Sequence, residues 1–213
     1  MSEELYHIDS ITARAEYELN LKFVDNKGKI ISSLIENYPE LKPDYVTSEV
    51  IVMRKKNPQV EIAISDEYIY MEFEKVNYEK VSEELKYVLN SVKAILLIDE
   101  LKDLEIAIDY SDRLPNNSKQ FLLSLNNLQA ILNLDSNCSI DETGLIILFT
   151  ENSEISRSVF LTTINDKFYV QDKILGIKNI KQVENDFLSM FKNSISKFSS
   201  VQKFLKKGQA YGI

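Results

Sequence analysis

The sequence predicts an α+β fold: two pseudo-repeated β-α-β-β-β-α halves contributing antiparallel sheet, continuous or in two parts, with long helices packed on one face. Three observations predict it. Ile64-Ser65-Asp66-Glu67-Tyr68-Ile69-Tyr70, leading through Asn77 into an apolar-striped segment, is echoed about one hundred residues later by Ile164-Asn165-Asp166-Lys167-Phe168-Tyr169-Val170, leading through Asn179 into another. After Asn77 the apolar positions are Tyr78, Val81, Leu85, Val88, Leu89 and Leu96, and after Asn179 they are Ile180, Val183, Phe187, Met190, Phe191 and Phe198, at identical spacings. Ser194, opposite Val92, breaks the series. Elsewhere apolar residues alternate with a period of two, the spacing of a strand with one dry and one wet face.

The first run, Ile11, Ala13, Ala15, Tyr17, Leu19, Leu21 and Phe23, alternates with Thr12, Arg14, Glu16, Glu18, Asn20 and Lys22 and predicts one long strand, ended by Asp25-Asn26-Lys27-Gly28. Ile30, Ile31, Leu34 and Ile35 suit a short helix stopped around Asn37 to Pro39. Strands follow at Tyr45 to Arg54, Gln59 to Ile64 and Tyr68 to Glu74, the last two joined by the polar turn Ser65-Asp66-Glu67. Asn77 is a candidate N-cap, its side-chain oxygen placed to accept from a first-turn amide.

In the second half Leu104, Ile106, Ile108 and Tyr110 alternate with polar neighbours up to Leu114-Pro115, and Phe121 to Leu132 carries helical spacing. Strands at Gly144 to Thr150, Ser158 to Ile164 and Lys167 to Gln171 come next, and Asn179 with Gln182 resembles a capping box before the closing helix. These readings divide the chain into halves at 1–98 and 99–200, packed as one unit, and a basic tail at 201–213.

Composition bounds the function. The chain carries a formal charge of −8. Residues 1–100 hold twelve Lys or Arg against twenty Asp or Glu, and residues 101–213 hold thirteen of each, so the whole acidic excess falls in the first half. Such a field opposes non-specific binding to phosphate backbones. The longest apolar run, Ala94 to Ile98, is far short of the ~20 residues that cross a bilayer. An acidic start without a signal-peptide pattern and a single cysteine, Cys138, fit a cytoplasmic protein with no membrane association.

Catalytic signatures are missing: the sequence has no G-x-S-x-G elbow and no phosphate-binding glycine loop. His7 and Cys138, the lone residues of their types, have no zinc spacing, and a Cys138–His7 dyad is less natural than a buried thiol and a terminal histidine. Asp99, Glu100, Asp103 and Glu105 are the residues from which a magnesium or calcium site would have to be built, but no loop fixes them, and a solvated face explains them as well. Glu16 and Glu18 alternate with cations and read as an exposed strand face. No catalytic residue, cofactor or metal is therefore assigned.

Several inner strands are apolar at both parities: Val50 to Met53, Tyr68 to Met71 and Leu145 to Phe149. Their second faces must be partly dry. Face-to-face packing of the halves, a sheet curved around a ligand or peptide, or pairing with another subunit would each achieve that. The functional expectation is a non-enzymatic module that binds another protein or itself as a homodimer, with Tyr68, Tyr70 and Phe168 as contact residues. The competing classes are a hydrolase or nucleotide-processing enzyme with a carboxylate cleft between halves, a peptide-binding chaperone, and a nucleic-acid-binding saddle. The last rests on the basic run Arg54-Lys55-Lys56 and on Lys203, Lys206 and Lys207, in an element order that resembles the TATA-binding protein.

Tyr38-Pro39, the Ser65-Asp66-Glu67 turn, Tyr78 opening the long helix and a strand ending near Arg113 and Pro115 also give the chain a layout similar to an uncharacterised, sporadically distributed bacterial family. Where that family has a basic, asparagine-containing strand, this chain has Ile106-Ala107-Ile108-Asp109-Tyr110. The resemblance implies no established activity and a mobile-element or phage-defence setting.

Overall fold

A computed structural model describes residues 7–74, 77–113, 143–151, 155–164, 167–175 and 187–196. Cys138, the Phe121 to Leu132 segment, Asn179 and the basic tail lie outside the described residues. The elements are β1 (His7–Glu16), α1 (Lys22–Asn37), β2 (Lys42–Val46), β3 (Val50–Lys56), β4 (Gln59–Ser65), β5 (Tyr68–Glu74), α2 (Tyr78–Leu96), β6 (Asp103–Arg113), β7 (Thr143–Glu151), β8 (Ile155–Ile164) and β9 (Lys167–Leu175). Residues 187–196 are helical and are called α3. Among the described residues the strands form one sheet in the order β2-β3-β4-β5-β1-β6-β9-β8-β7. Every neighbouring pair is antiparallel.

Alternation dictates which face is covered. Ile11, Ala13 and Ala15 of β1 lie in register with Phe73, Met71 and Ile69 of β5 and with Ile108, Ile106 and Leu104 of β6, and all of them are buried. Directly paired residues point to one side of a sheet, so this set forms a continuous apolar floor. Phe23, Ile30 and Leu34 of α1, Val81, Leu85, Val88, Leu89, Val92 and Leu96 of α2, and Phe187 and Phe191 of α3 belong to the same core. Burying each large side chain contributes roughly 1.5–3 kcal/mol, which none of these helices would gain alone in water. Asn77 caps α2 by accepting from the Glu79 amide at 2.8 Å.

The apolar series fails at Ser194 for a physical reason. Asp172 of β9 sits on the covered face opposite Ile108, 3% exposed. The Ser194 hydroxyl donates to it at 2.6 Å and lies 2.8 Å from the Tyr110 hydroxyl. A buried carboxylate needs such partners. An apolar residue at 194 would withdraw one of them.

Three expectations are corrected. The alternation from Ile11 to Phe23 does not continue as a strand, because β1 stops at Glu16 and α1 begins at Lys22. Beyond Glu16 the amides of Tyr17 and Asn20 turn to the carbonyls of Glu67 and Asp66, 2.9 and 2.8 Å away in the β4–β5 turn. Phe23, Ile30 and Leu34 then share one helix face, so Asp25 to Gly28 lies inside a helix of 16 residues instead of ending a strand. Likewise Tyr45 to Arg54 is two strands, giving β-α-β-β-β-β-α in place of β-α-β-β-β-α before residue 98. Thr47 makes the break: its Oγ1 accepts from the Glu49 and Val50 amides at 3.2 and 3.1 Å, a side-chain turn that alternation does not reveal. Finally, the two parts of the chain meet edge to edge through β1 and β6 and do not pack face to face. The second face is dried locally. Val52, 2% exposed, lies between its cross-strand neighbours Tyr45 and Ala63.

The corrected start of α1 generates a contrast. Phe23→Ala is expected to cost about 3–5 kcal/mol and Leu21→Ala less than about 0.5 kcal/mol, read from urea unfolding midpoints. Equal costs would restore the strand reading of this segment.

Candidate functional site

The helices leave the opposite face of the sheet open among the described residues. Register runs several rows of side chains across it. One passes Tyr45, Val52, Ala63, Tyr70, Arg14 and Glu105, from β2 to β6. Another passes Glu74, Ser10, Asp109, Gln171 and Phe160, from β5 to β8.

At the centre Tyr68 and Tyr70 stand on β5 beside Arg14 of β1. The Arg14 guanidinium lies 5.0 Å from the centre of the Tyr68 ring and its Nε is 2.9 Å from Glu16 Oε1. A cation over a ring at this exposure is worth about 0.5–1 kcal/mol. The Tyr70 hydroxyl donates to Glu72 Oε2 at 3.0 Å. Burial first, then that hydrogen bond and the negative fields of Glu72, Glu61 and Asp109, push the Tyr70 phenol up to about 12. It is therefore neutral and remains a donor throughout the physiological range.

Among the described side chains of β5, β1 and β6 this face carries Glu72, Glu74, Glu16, Asp103, Glu105 and Asp109 against one cation, Arg14. Lys173 of β9 answers one of them, Glu105, at 2.6 Å. Beyond it a groove of about 500 Å³ opens between Asp9, Asp109, Phe160, Thr162, Tyr169 and Gln171. Two features shape it. A register shift between Ile8 and Ser10 sets Asp9 apart from the pairing of β1 with β6, and such a bulge re-aims a side chain. Asp109 is held by the Ser10 hydroxyl at 2.7 Å and the Gln171 amide at 2.9 Å.

Of the residues singled out from sequence, the structure brings Tyr68 and Tyr70 together on this face. Phe168 is placed by its backbone, paired with Asp112 of β6 and Thr163 of β8, and Tyr169 lines the groove. Arg54, Lys55 and Lys56 do not form one patch. Arg54 on the open face bridges Asp44 at 2.5 Å and Glu61 at 2.7 Å. Lys55 points the other way, among Tyr38, Leu41 and Glu84, and its ammonium holds the Glu40 carboxyl below the usual range. Glu18 lies beyond β1, not on a strand face with Glu16, and pairs with Lys102 at 3.0 Å.

Among the described residues no group of three or more His, Cys, Asp and Glu is arranged to hold a metal, Asp99, Glu100, Asp103 and Glu105 included. No helix among them is long and apolar enough to cross a membrane. Tyr169, Phe160, Gln171 and Arg14 were legible only in part: the alternation of Tyr169, Gln171 and Lys173 marks a strand face but not which neighbours complete it.

No family model matches the sequence. A relative, the uncharacterized protein R13 of Acanthamoeba polyphaga mimivirus, is 27% identical over 182 residues, covering 78% of this chain and 94% of the relative. Among solved structures, the TBP of Methanococcus jannaschii is similar with a TM-score of 0.35 and 15% identity, over 88% of this chain and 97% of that one.

Because the Tyr70 proton is held more tightly in the folded chain, its contribution to stability is complete below a free tyrosine's pKa near 10 and is lost as pH rises toward about 12. Glu72→Gln is expected to bring the Tyr70 titration part of the way back toward 10, burial retaining the rest. Carbon-13 NMR of labelled tyrosine, assigned by Tyr70→Phe, measures it. An unmoved midpoint would remove Glu72 from the account.

Proposed function

We propose that this protein is a non-enzymatic binding module that holds another, positively charged protein against the open face of its sheet. The observation that carries the reading is the juxtaposition on that face of Tyr68 and Tyr70 with six carboxylates and one cation among the described side chains of the three central strands. Tyrosine supplies contact area with little rotamer entropy to lose, and Tyr and Arg are the residues on which interfaces most often turn. The Arg14 clamp and the Glu72 hydrogen bond fix both rings before a partner arrives, which lowers the ordering cost of association.

Charge selects among partners. An acidic face repels a nucleic-acid backbone and equally repels a second copy of itself. A partner rich in Lys and Arg is steered toward it. Among the described residues the carboxyl whose pKa is raised is that of Glu84, by burial on the helix side of the sheet, so it serves no open-face chemistry. This weighs against the hydrolase reading, which needs converging carboxylates of raised pKa in a cleft.

We read the architecture behind this surface as a duplication. The order β1-β5-β4-β3 on one side of the seam is repeated as β6-β9-β8-β7 on the other. A repeat joined through its first strands sets two open surfaces side by side and doubles the area offered to one partner.

The test is affinity capture from a source lysate with the full chain, identified by mass spectrometry and read beside the mass in size-exclusion chromatography. The wild type is expected to retain a basic protein, and Tyr68→Ser with Tyr70→Ser to lose it by about tenfold or more. Equal capture by the variant, or a monomer that retains nothing, would overturn the reading.

A further inference from the structure

We propose a second docking surface, at the corner where the β1–α1 connection meets the end of α2, fitted to an amphipathic basic segment of another protein. It stands apart from the open-face reading and rests on different residues. Leu19, Leu21, Val24 and Leu97 are 56, 77, 57 and 66% exposed. Scattered exposed leucines are ordinary, but these four fall on two segments that the fold joins. The Asn20 side chain donates to the Leu96 carbonyl at 2.9 Å, which brings the turn holding Leu19 and Leu21 to the end of α2 that Leu97 follows. Val24 follows in the first turn of α1.

The corner is built rigidly. The Asn20 amide donates to Asp66, its Oδ1 accepts from the Lys22 amide at 3.0 Å, and the Tyr17 hydroxyl donates to the Ser65 carbonyl at 2.5 Å. The aliphatic side chains are thus presented by a braced backbone.

Leu97 supplies the second observation. It is left-handed, with φ 56° and ψ 46°, at the position after a helix end where glycine is the usual residue. The Ile98 amide donates to the Lys93 carbonyl at 2.9 Å, closing the helix end, and Ile98, not Leu97, packs against the core. A leucine here adds backbone strain and leaves its side chain in water, and folding gains from neither. What it adds is apolar surface.

Charge names the occupant. Glu18 and Lys102 answer each other at 3.0 Å, and among the other charges of these turns and the first turn of α1 the acids Asp25, Asp66, Glu67, Asp99 and Glu100 outnumber Lys22 and Lys93. A second copy of the chain would bring the same acids, and an anionic lipid surface is repelled as well. A protein segment with leucine-like side chains on one face and Lys or Arg beside them satisfies both halves of the corner.

The probe is a peptide of about 15 residues with Leu and Lys at helical spacing, compared with its Leu and Glu counterpart. Titrated into the full chain, the basic peptide is expected to shift amide resonances at residues 18–24 and 96–101. Its affinity by calorimetry is expected to fall about tenfold or more in Leu21→Ser with Leu97→Gly, which removes both side chains and relieves the left-handed strain. Leu21→Lys alone, leaving the Leu97 backbone untouched, carries the same expectation. Shifts confined to the open face, equal binding of the acidic peptide, or unchanged affinity in both variants would overturn the proposal. So would a concentration-dependent dimer abolished by Leu21→Lys, since the occupant would then be a second copy. Shifts at Tyr68 and Tyr70 alone would leave the open-face reading standing while this one fell.

Discussion

The pairing of β1 with both β5 and β6 is the constraint on which the rest depends. β1 is the hinge of the sheet order, with four strands on either side of it. Its register delivers Ile11, Ala13 and Ala15 to the covered face and Ser10, Thr12, Arg14 and Glu16 to the open one. A slip of one residue would exchange the two sets. The core would lose its floor and the open face its guanidinium.

The same strand explains why the two faces diverge so sharply in chemistry. Alanine at 13 and 15 keeps the floor shallow where α2 crosses it, and α2 fills the space with Val, Leu and Ile side chains. On the other side no layer follows among the described residues, so dryness comes only from neighbouring side chains, as at Val52 between Tyr45 and Ala63. Rings half-shielded in this way keep one side toward solvent, among the carboxylates that β1, β5 and β6 bring to the same face.

Polar exceptions within the covered face are satisfied rather than excluded. Asp172 enters it in the middle of an apolar row and is met by Ser194 from α3. Lys55 does so at the edge and meets Glu40. Each costs burial of a charge and fixes one helix or loop against one strand, a specificity that hydrophobic contact alone does not give.

The sequence by itself determined the α+β class, the strand at Tyr68–Glu74, the Asn77 cap and the apolar faces of α2 and α3, because those features follow from period and from local hydrogen bonding. It also set Tyr68 and Tyr70 two residues apart on one strand, and so on one face. It misread residues 17–28, where Leu19 and Leu21 prolong an alternation that has no core to face, and the turn at Thr47, whose bonds are made by a side chain. Only the tertiary structure decided that β1 and β6 share an edge, that Arg54 and Lys55 point apart, and that Phe160, Tyr169 and Asp109 meet in one groove. Each of those depends on the register between strands far apart in the chain, and no local pattern of residues encodes a partner that the chain reaches only by folding.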